Sequence, residues 1–317
     1  MKILANDGLS QKGVKMLTQA GIEVLEHRVA QEQLSHFIND NQIDGLLVRS
    51  TTKVPKELID ACPSLRLIGR GGVGTDNIDV AYAESKGIKV INTPAASAQS
   101  VAELVFAHFF TLARFLHEAN RMMPLEGETK FKALKKSYAQ AVELSGKTLG
   151  IIGFGRIGKE VAKIGIALGM KPLVVTRTAR KENLSWSFFD GSTVHFEIET
   201  TTDLHEVLSQ SDFLTINTPK TEHYLIDTPE YEAMKSGIFI VNAARGGVLN
   251  EQALLDFIES GKIAGAALDV FETEPEPSLA VLMNPALSLS PHLGGSTVEA
   301  QDRIGTELAQ QIIKLRS

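Results

Sequence analysis

Apolar residues fall along this chain in short runs that alternate with stretches of helical spacing. Lys2 to Ala5, Gly45 to Val48, Arg66 to Gly69 and Lys89 to Ile91 are strand-like runs, with amphipathic segments such as Ser10 to Ala20 between them. A second series of the same kind begins at Thr148 to Ile152 and continues through Pro172 to Thr176, Phe213 to Asn217, Gly237 to Asn242, Gly265 to Val270 and Leu287 to Leu289. Such alternation predicts parallel sheets with helices on both faces, here twice over. The fold class expected is therefore α/β, with two Rossmann-like domains. The apolar stretch from Ser97 to about His117 is expected to be the crossover helix between them. The tail from Val298 to Leu315 has helical spacing at Ile304, Leu308, Ile312 and Leu315, which suits a return to the first domain. These patterns place residues 1–97 and 286–317 in a first, substrate domain and residues 98–285 in a dinucleotide-binding domain inserted into it.

The second series opens on a glycine fingerprint. Gly153, Gly155 and Gly158 stand between the run ending at Ile152 and a helical pattern of Ile157, Val161, Ile164 and Leu168. In that setting the first glycine allows a tight turn, the second lets a pyrophosphate approach bare backbone, and the third lets the helix lie close to the strand. Dinucleotide binding is the chemistry implied.

At 317 residues the chain suits two domains, and its net charge of −6 offers no basic footprint for nucleic acid. The longest apolar stretch, Val101 to Phe110, carries Glu103 and His108 and is too short to span a bilayer. No signal peptide precedes the first strand, so a cytoplasmic location is expected. Cys62 is the only cysteine, which excludes an internal disulfide, and no cluster has metal-ligand spacing. His108 and His117, on an apolar helical stretch, read as packing or interface residues. The lysines at 130, 132, 135 and 136 read as a solvated helix face.

Three polar clusters stand at strand ends of the second series. Arg245 lies in the run Asn242 to Gly247, where a guanidinium fork can grip a carboxylate and polarise an adjacent carbonyl. The second cluster is Asp269 to Pro275, containing Glu274. The third is Pro291 to Thr297, where His292 precedes two glycines and is open to a substrate. Taken singly, Arg245 also fits a surface ion pair and His292 a structural role.

Together with the loop Gly153 to Gly158, these clusters resemble the D-isomer-specific 2-hydroxyacid dehydrogenases through nearly the whole chain. Within that family, Leu47 to Val54, Gly69 to Asp79 and Asn92 to Pro94 look most like the phosphoglycerate dehydrogenase group, in a short form without that group's C-terminal regulatory module. The resemblance implies an NAD-dependent oxidoreductase interconverting D-3-phosphoglycerate and 3-phosphohydroxypyruvate, a step of L-serine biosynthesis. It implies Arg245 on the substrate carboxylate, His292 as acid/base and Glu274 as its partner. Asp269 would face the nicotinamide, with Arg156, Ile157, Thr218, Ala244 and Gly294 around the cofactor. Arg49, Ser50, Arg70, Gly72, Val73 and Gly74 would face the phosphorylated substrate across a cleft. A glyoxylate or hydroxypyruvate reductase of the same family is the alternative, and a dinucleotide-sensing interaction protein a more distant one. A homodimer formed through the outer face of the crossover helix is expected by the same resemblance.

One departure concerns the cofactor. The acid expected roughly 20 residues beyond the glycines to hold the ribose hydroxyls is absent. Thr176 stands in its place and is followed by Arg177. An uncharged residue followed by arginine suits a 2′-phosphate, so NADP is open beside NAD. The segment from Trp186 to Thr202 is longer than the usual connection and suggests a hairpin at Asp190-Gly191.

Overall fold

The apolar runs of the first series become strands whose successive side chains feed opposite cores. The computed structural model describes residues 1–316 and divides the chain into two compact units, Met1–Ser100 with Gly295–Ser317, and Val101–Gly294.

In the first unit, β1 (Lys2–Ala5), α1 (Gln11–Gln19), β2 (Glu23–Leu25), α2 (Leu34–Asp40), β3 (Gly45–Val48), α3 (Lys56–Ala61), β4 (Leu67–Arg70), α4 (Val80–Ser85) and β5 (Lys89–Asn92) follow in order. The strands form one parallel sheet in the order β2-β1-β3-β4-β5. Leu4 of β1 joins a core with Leu34, Ile38, Leu58 and Ile59 of α2 and α3, while Ile3 and Ala5 join the opposite core with Leu17 of α1. The edge strand β2 has no counterpart among the expected runs. It has three residues and begins with an exposed glutamate, so no buried run marks it. Cys62 caps α3 from a buried position, and burial pushes its thiol up to about 11.

The chain passes to the second unit within α5 (Ala98–Ala113). The expected helix through His117 stops early, because Phe115 takes a left-handed conformation (φ 55°) and a separate helix, α6 (Leu116–Ser137), follows. Pro124 lies inside α6 and Lys130 bends it at φ −119°. Next come β6 (Thr148–Ile152), α7 (Arg156–Ala167), β7 (Lys171–Val175), β8 (Lys181–Ser187), β9 (Thr193–Thr201), α8 (Leu204–Gln210), β10 (Phe213–Ile216), α9 (Thr228–Ala233), β11 (Ile238–Asn242), α10 (Glu251–Glu259), β12 (Ile263–Leu268), α11 (Leu279–Met283) and β13 (Leu287–Leu289). The eight strands are ordered β13-β12-β11-β10-β6-β7-β9-β8, parallel except for the antiparallel β8–β9 pair. That pair is the hairpin read at Asp190-Gly191: Gly191 sits at φ 83°, and Asp190 Oδ1 accepts from the Ser192 amide at 2.9 Å. Because β13 pairs with β12, the second unit runs on to Gly294, beyond the boundary expected at residue 285.

The chain then returns to the first unit as α12 (Val298–Arg316), which buries Ile304, Leu308 and Ile312 beside Ile3 and Leu17; Leu315, expected on the same face, is exposed. α1 and α12 meet at glycines. A Cβ on Gly13 would lie 2.7 Å from the carbonyl oxygen of Gly305, and one on Gly305 would strike the Ser10 side chain. Alanine is favoured over glycine inside a helix by about 0.5–1 kcal/mol, whereas overpacking costs about 1–3 kcal/mol. With backbone on the other side of the contact, overlap should win. Gly13→Ala is expected to lower the urea midpoint; a raised midpoint would show that the two helices can move apart at little cost.

Candidate active site

Three glycines shape the end of β6. Gly153 adopts φ 91°, and a Cβ there would sit 2.7 Å from the carbonyl oxygen of Asn217. Gly155, which caps α7, has open space where a side chain would project, and a Cβ on Gly158 would strike the carbonyl oxygen of Gly153. Bare backbone therefore meets the N-terminus of α7, with Arg156 and Ile157 in its first turn, as an anion-binding helix start requires. Just beyond β10, Asn217 Nδ2 and Thr218 Oγ1 are buried without a protein partner among the described residues. Buried polar atoms are normally satisfied. Two orphans beside a glycine cradle fit a dinucleotide, with Gly153, Gly155 and α7 at its pyrophosphate and Thr218 close by.

The strand ends next to this cradle carry the reactive groups. Asn242, fully buried at the end of β11, shapes the following turn: its Nδ2 donates to the Arg245 carbonyl (3.0 Å) and its Oδ1 accepts from the Ala244 amide (3.1 Å). Arg245 Nη1 donates to the Ala244 carbonyl at 2.7 Å. Gly246 lies against the carbonyl of Phe271 with no room for a Cβ, which holds this turn against the loop after β12. In that loop Glu274 Oε1 accepts from the Phe271 amide (3.0 Å) and its Oε2 meets His292 Nδ1 at 2.9 Å. Burial opposes ionisation of Glu274. The His292 hydrogen bond and charge, the Phe271 amide and the Arg245 charge together outweigh it and hold the carboxyl below its usual value. With Nδ1 engaged, His292 Nε2 is the ring atom left for chemistry, on a side chain 38% exposed. His292 sits at φ 56°, and its amide donates to the Asp269 carbonyl at 2.9 Å.

Asp269 organises the loop that carries this histidine. Its Oδ1 accepts from the Leu293 amide (2.6 Å) and the Ser290 hydroxyl (2.6 Å), and its Oδ2 from the Gly294 amide (2.8 Å). Behind it lies His108, whose place on an apolar helix suggests a packing or interface role. The ring is buried, with Nε2 3.0 Å from Ser290 Oγ and Nδ1 3.0 Å from Ser288 Oγ. An ionised carboxylate only accepts, so Ser290 spends its proton on Asp269 and must accept from His108 Nε2–H; Nδ1 then accepts from Ser288. Burial lowers the pKa of His108 while the charge of Asp269 opposes the shift, consistent with a neutral ring. The one sequence signal for this hydrogen-bond chain is the period-two pair of serines, Ser288 and Ser290, in an apolar strand.

Near the fingerprint, the Thr176 hydroxyl donates to the Thr178 carbonyl at 2.8 Å and lies 3.1 Å from Thr200 Oγ1, so it ties β7 to the β8–β9 hairpin. Arg177 beside it is exposed. The remaining expected residues belong to the first unit. Arg49 follows β3, Ser50 next to it is exposed, and Arg70 closes β4. Gly72, at φ 145°, has the Arg70 guanidinium where a Cβ would stand. Val73 is held through its carbonyl by Asn92 Nδ2 at 2.7 Å, and Gly74 follows it. Among the described residues no group of His, Cys, Asp or Glu is arranged to hold a metal ion.

Two measurements check this geometry. His292→Ala should lower kcat roughly 10²-fold or more with cofactor affinity nearly unchanged, the usual worth of a general acid/base; near-wild-type turnover would remove His292 from the chemistry. Nitrogen-15 NMR of the histidine rings at pH 7 should show His108 as the neutral Nε2–H tautomer; an Nδ1–H ring would remove the donor that Ser290 requires, and a protonated ring would turn the Ser288 contact around.

The model of the D-isomer specific 2-hydroxyacid dehydrogenase NAD-binding domain matches residues 106–294. The chain is 39% identical to a hydroxypyruvate reductase of Thermotoga maritima, over 99% of this chain and 97% of that protein. It is 40% identical to a D-3-phosphoglycerate dehydrogenase of Methanocaldococcus jannaschii, again over 99% of this chain but only 57% of that protein; against phosphoglycerate dehydrogenases of this kind the chain spans little more than half the relative's length. Among solved structures it is similar to an NADPH-dependent glyoxylate/hydroxypyruvate reductase of Sinorhizobium meliloti in complex with NADP and malonate, with TM-score 0.79 and 26% identity over 100% of this chain and 93% of that one. With the glycine cradle, the strand-end arginine and the Glu274–His292 pair assembled in one unit, the chain belongs to the D-isomer-specific 2-hydroxyacid dehydrogenases.

Proposed function

We propose that this dehydrogenase interconverts D-3-phosphoglycerate and 3-phosphohydroxypyruvate. The observation that carries the phosphorylated substrate is a pair of arginines on adjacent strands, Arg49 directly after β3 and Arg70 closing β4, where Val48 is the register partner of Arg70. Two guanidinium forks at neighbouring strand ends suit a phosphoryl dianion. Similarity to phosphoglycerate dehydrogenases over almost the whole chain supports the same reading. Hydroxypyruvate reduction is the second reading, favoured by the Thermotoga relative.

Either substrate asks the same work of the second unit. Arg245 pairs with the substrate carboxylate and polarises the neighbouring carbonyl. In reduction His292 gives a proton from Nε2 to the carbonyl oxygen, and in oxidation it takes the hydroxyl proton at that atom; Glu274, bonded to Nδ1, holds the ring in place and balances the charge it gains. The nicotinamide, when bound, supplies or accepts the hydride.

Steady-state rates with phosphohydroxypyruvate, hydroxypyruvate and glyoxylate decide between the readings. Arg49→Ala and Arg70→Ala should each raise KM for phosphohydroxypyruvate at least about tenfold more than KM for hydroxypyruvate, because a lost charge-assisted contact affects only the substrate that makes it. Equal effects on both would favour the reductase reading. For the cofactor, no carboxylate stands at Thr176 to repel a 2′-phosphate and Arg177 is available to it, so NADPH is expected to be used. Thr176→Asp should shift kcat/KM toward NADH, and an unchanged preference would separate this strand end from the ribose.

A further inference from the structure

The sheet of the first unit grows in two directions from β1, toward β2 on one side and β3 on the other. In open α/β sheets, ligands bind outside the carboxyl ends of the strands where the order reverses. A cavity of about 500 Å³ occupies this point, walled by the segments that follow β1, β2 and β3. Its basic side chains are Arg28 and His27 after β2 and Arg49 after β3. Neither guanidinium has a partner among the described residues. Arg28 stands in an exposed segment without periodicity, so no sequence pattern marks it.

The two acids on the same wall are already engaged. Asp7 Oδ2 accepts from the amides of Arg49 (2.6 Å) and Thr52 (3.1 Å), and its Oδ1 from the Thr52 hydroxyl (2.8 Å). Exposed Glu26 accepts from Gln11 Nε2 at 3.3 Å through Oε2. Arg28 and Arg49 therefore bring two planar five-donor forks to the cavity, which match tetrahedral oxyanions better than carbonyl groups or cations. Gly8, at φ 81° with nothing within 4 Å of where a Cβ would stand, leaves open space at the far end of the segment after β1. A cavity of this size is in the range of small-metabolite sites, about 300–1,000 Å³.

We propose that this cavity is a phosphomonoester site in which Arg28 and Arg49 grip the phosphoryl oxygens together. The phosphoryl group has two possible sources, the substrate itself or a second phosphorylated metabolite; only the first rests on the function proposed above.

Titration calorimetry with inorganic phosphate reads the site without turnover. The wild-type protein should bind phosphate, and Arg28→Met should weaken that binding at least about tenfold, as should Arg49→Met. Arg28→Lys, which keeps the charge but not the fork, should fall between wild type and Arg28→Met and guards against a folding defect. A wild type that binds no phosphate at millimolar concentration, or Arg28→Met binding as the wild type does, overturns the proposal. Kinetics then identify the source. A KM for phosphohydroxypyruvate raised at least about tenfold in Arg28→Met, with hydroxypyruvate unaffected, assigns the site to the substrate. Weakened phosphate binding with both KM values unchanged assigns it to a second ligand. Failure of the wild type to turn over phosphohydroxypyruvate would refute the proposed function, while phosphate binding measured by calorimetry would still decide whether the cavity is a phosphate site.

Discussion

The carboxylate of Asp269 is what the reactive end of the second unit depends on. It lies beyond the end of β12, buried, and accepts from two successive amides and one hydroxyl of the segment around His292. A buried anion is costly unless it is hydrogen-bonded, and here the donors come from the loop that must be placed. The left-handed backbone of His292 is otherwise unfavourable for a residue with a side chain. It persists where its own amide and the two that follow are all bound to Asp269. Glu274 and Arg245 are set by equally local means, a backbone amide for the first and the Asn242 side chain for the second. Each strand end thus supplies its own brace for the group it carries.

Much of this was legible from residue order. The glycines between β6 and α7 are readable because only glycine tolerates the positive φ, the open approach and the helix contact at those places. The clusters that hold Arg245, Glu274 and His292 are readable because they follow buried apolar runs, where a parallel sheet delivers side chains to a common edge, while the role of each residue comes from the family resemblance. The strands buried on both faces were found to within a residue or two. What escaped has physical reasons. Phe115 breaks the crossover helix without a glycine or proline at that position. β8 at the sheet edge and β9 beside it have mixed polarity, so only their turn announces them. His108 meets serines 180 and 182 residues away, a relation that no local pattern encodes.

The cofactor question turns on the same hairpin. Thr176, expected from the sequence at the ribose position, has its hydroxyl spent on the turn into β8 rather than left open. The hairpin occupies the sheet edge beyond β7, and the residue just after β7 serves the hairpin. Lys159 of α7 reaches across to Glu182 of β8 at 2.8 Å, tying the fingerprint helix to the added strand.

The discontinuity of the first unit sets an order of assembly. Ile304, Leu308 and Ile312 of α12 fill the core that Ile3 and Leu17 began, so that core lacks one wall until almost the entire chain has been made. The second unit is one continuous stretch, Val101–Gly294, and holds all its strands before α12 emerges. At ribosomal rates of about 5–20 residues per second, the N-terminal strands wait on the order of tens of seconds with apolar surface uncovered. During that interval the unit with the fingerprint is the part able to fold, and the half-built sheet is the part in need of protection from aggregation.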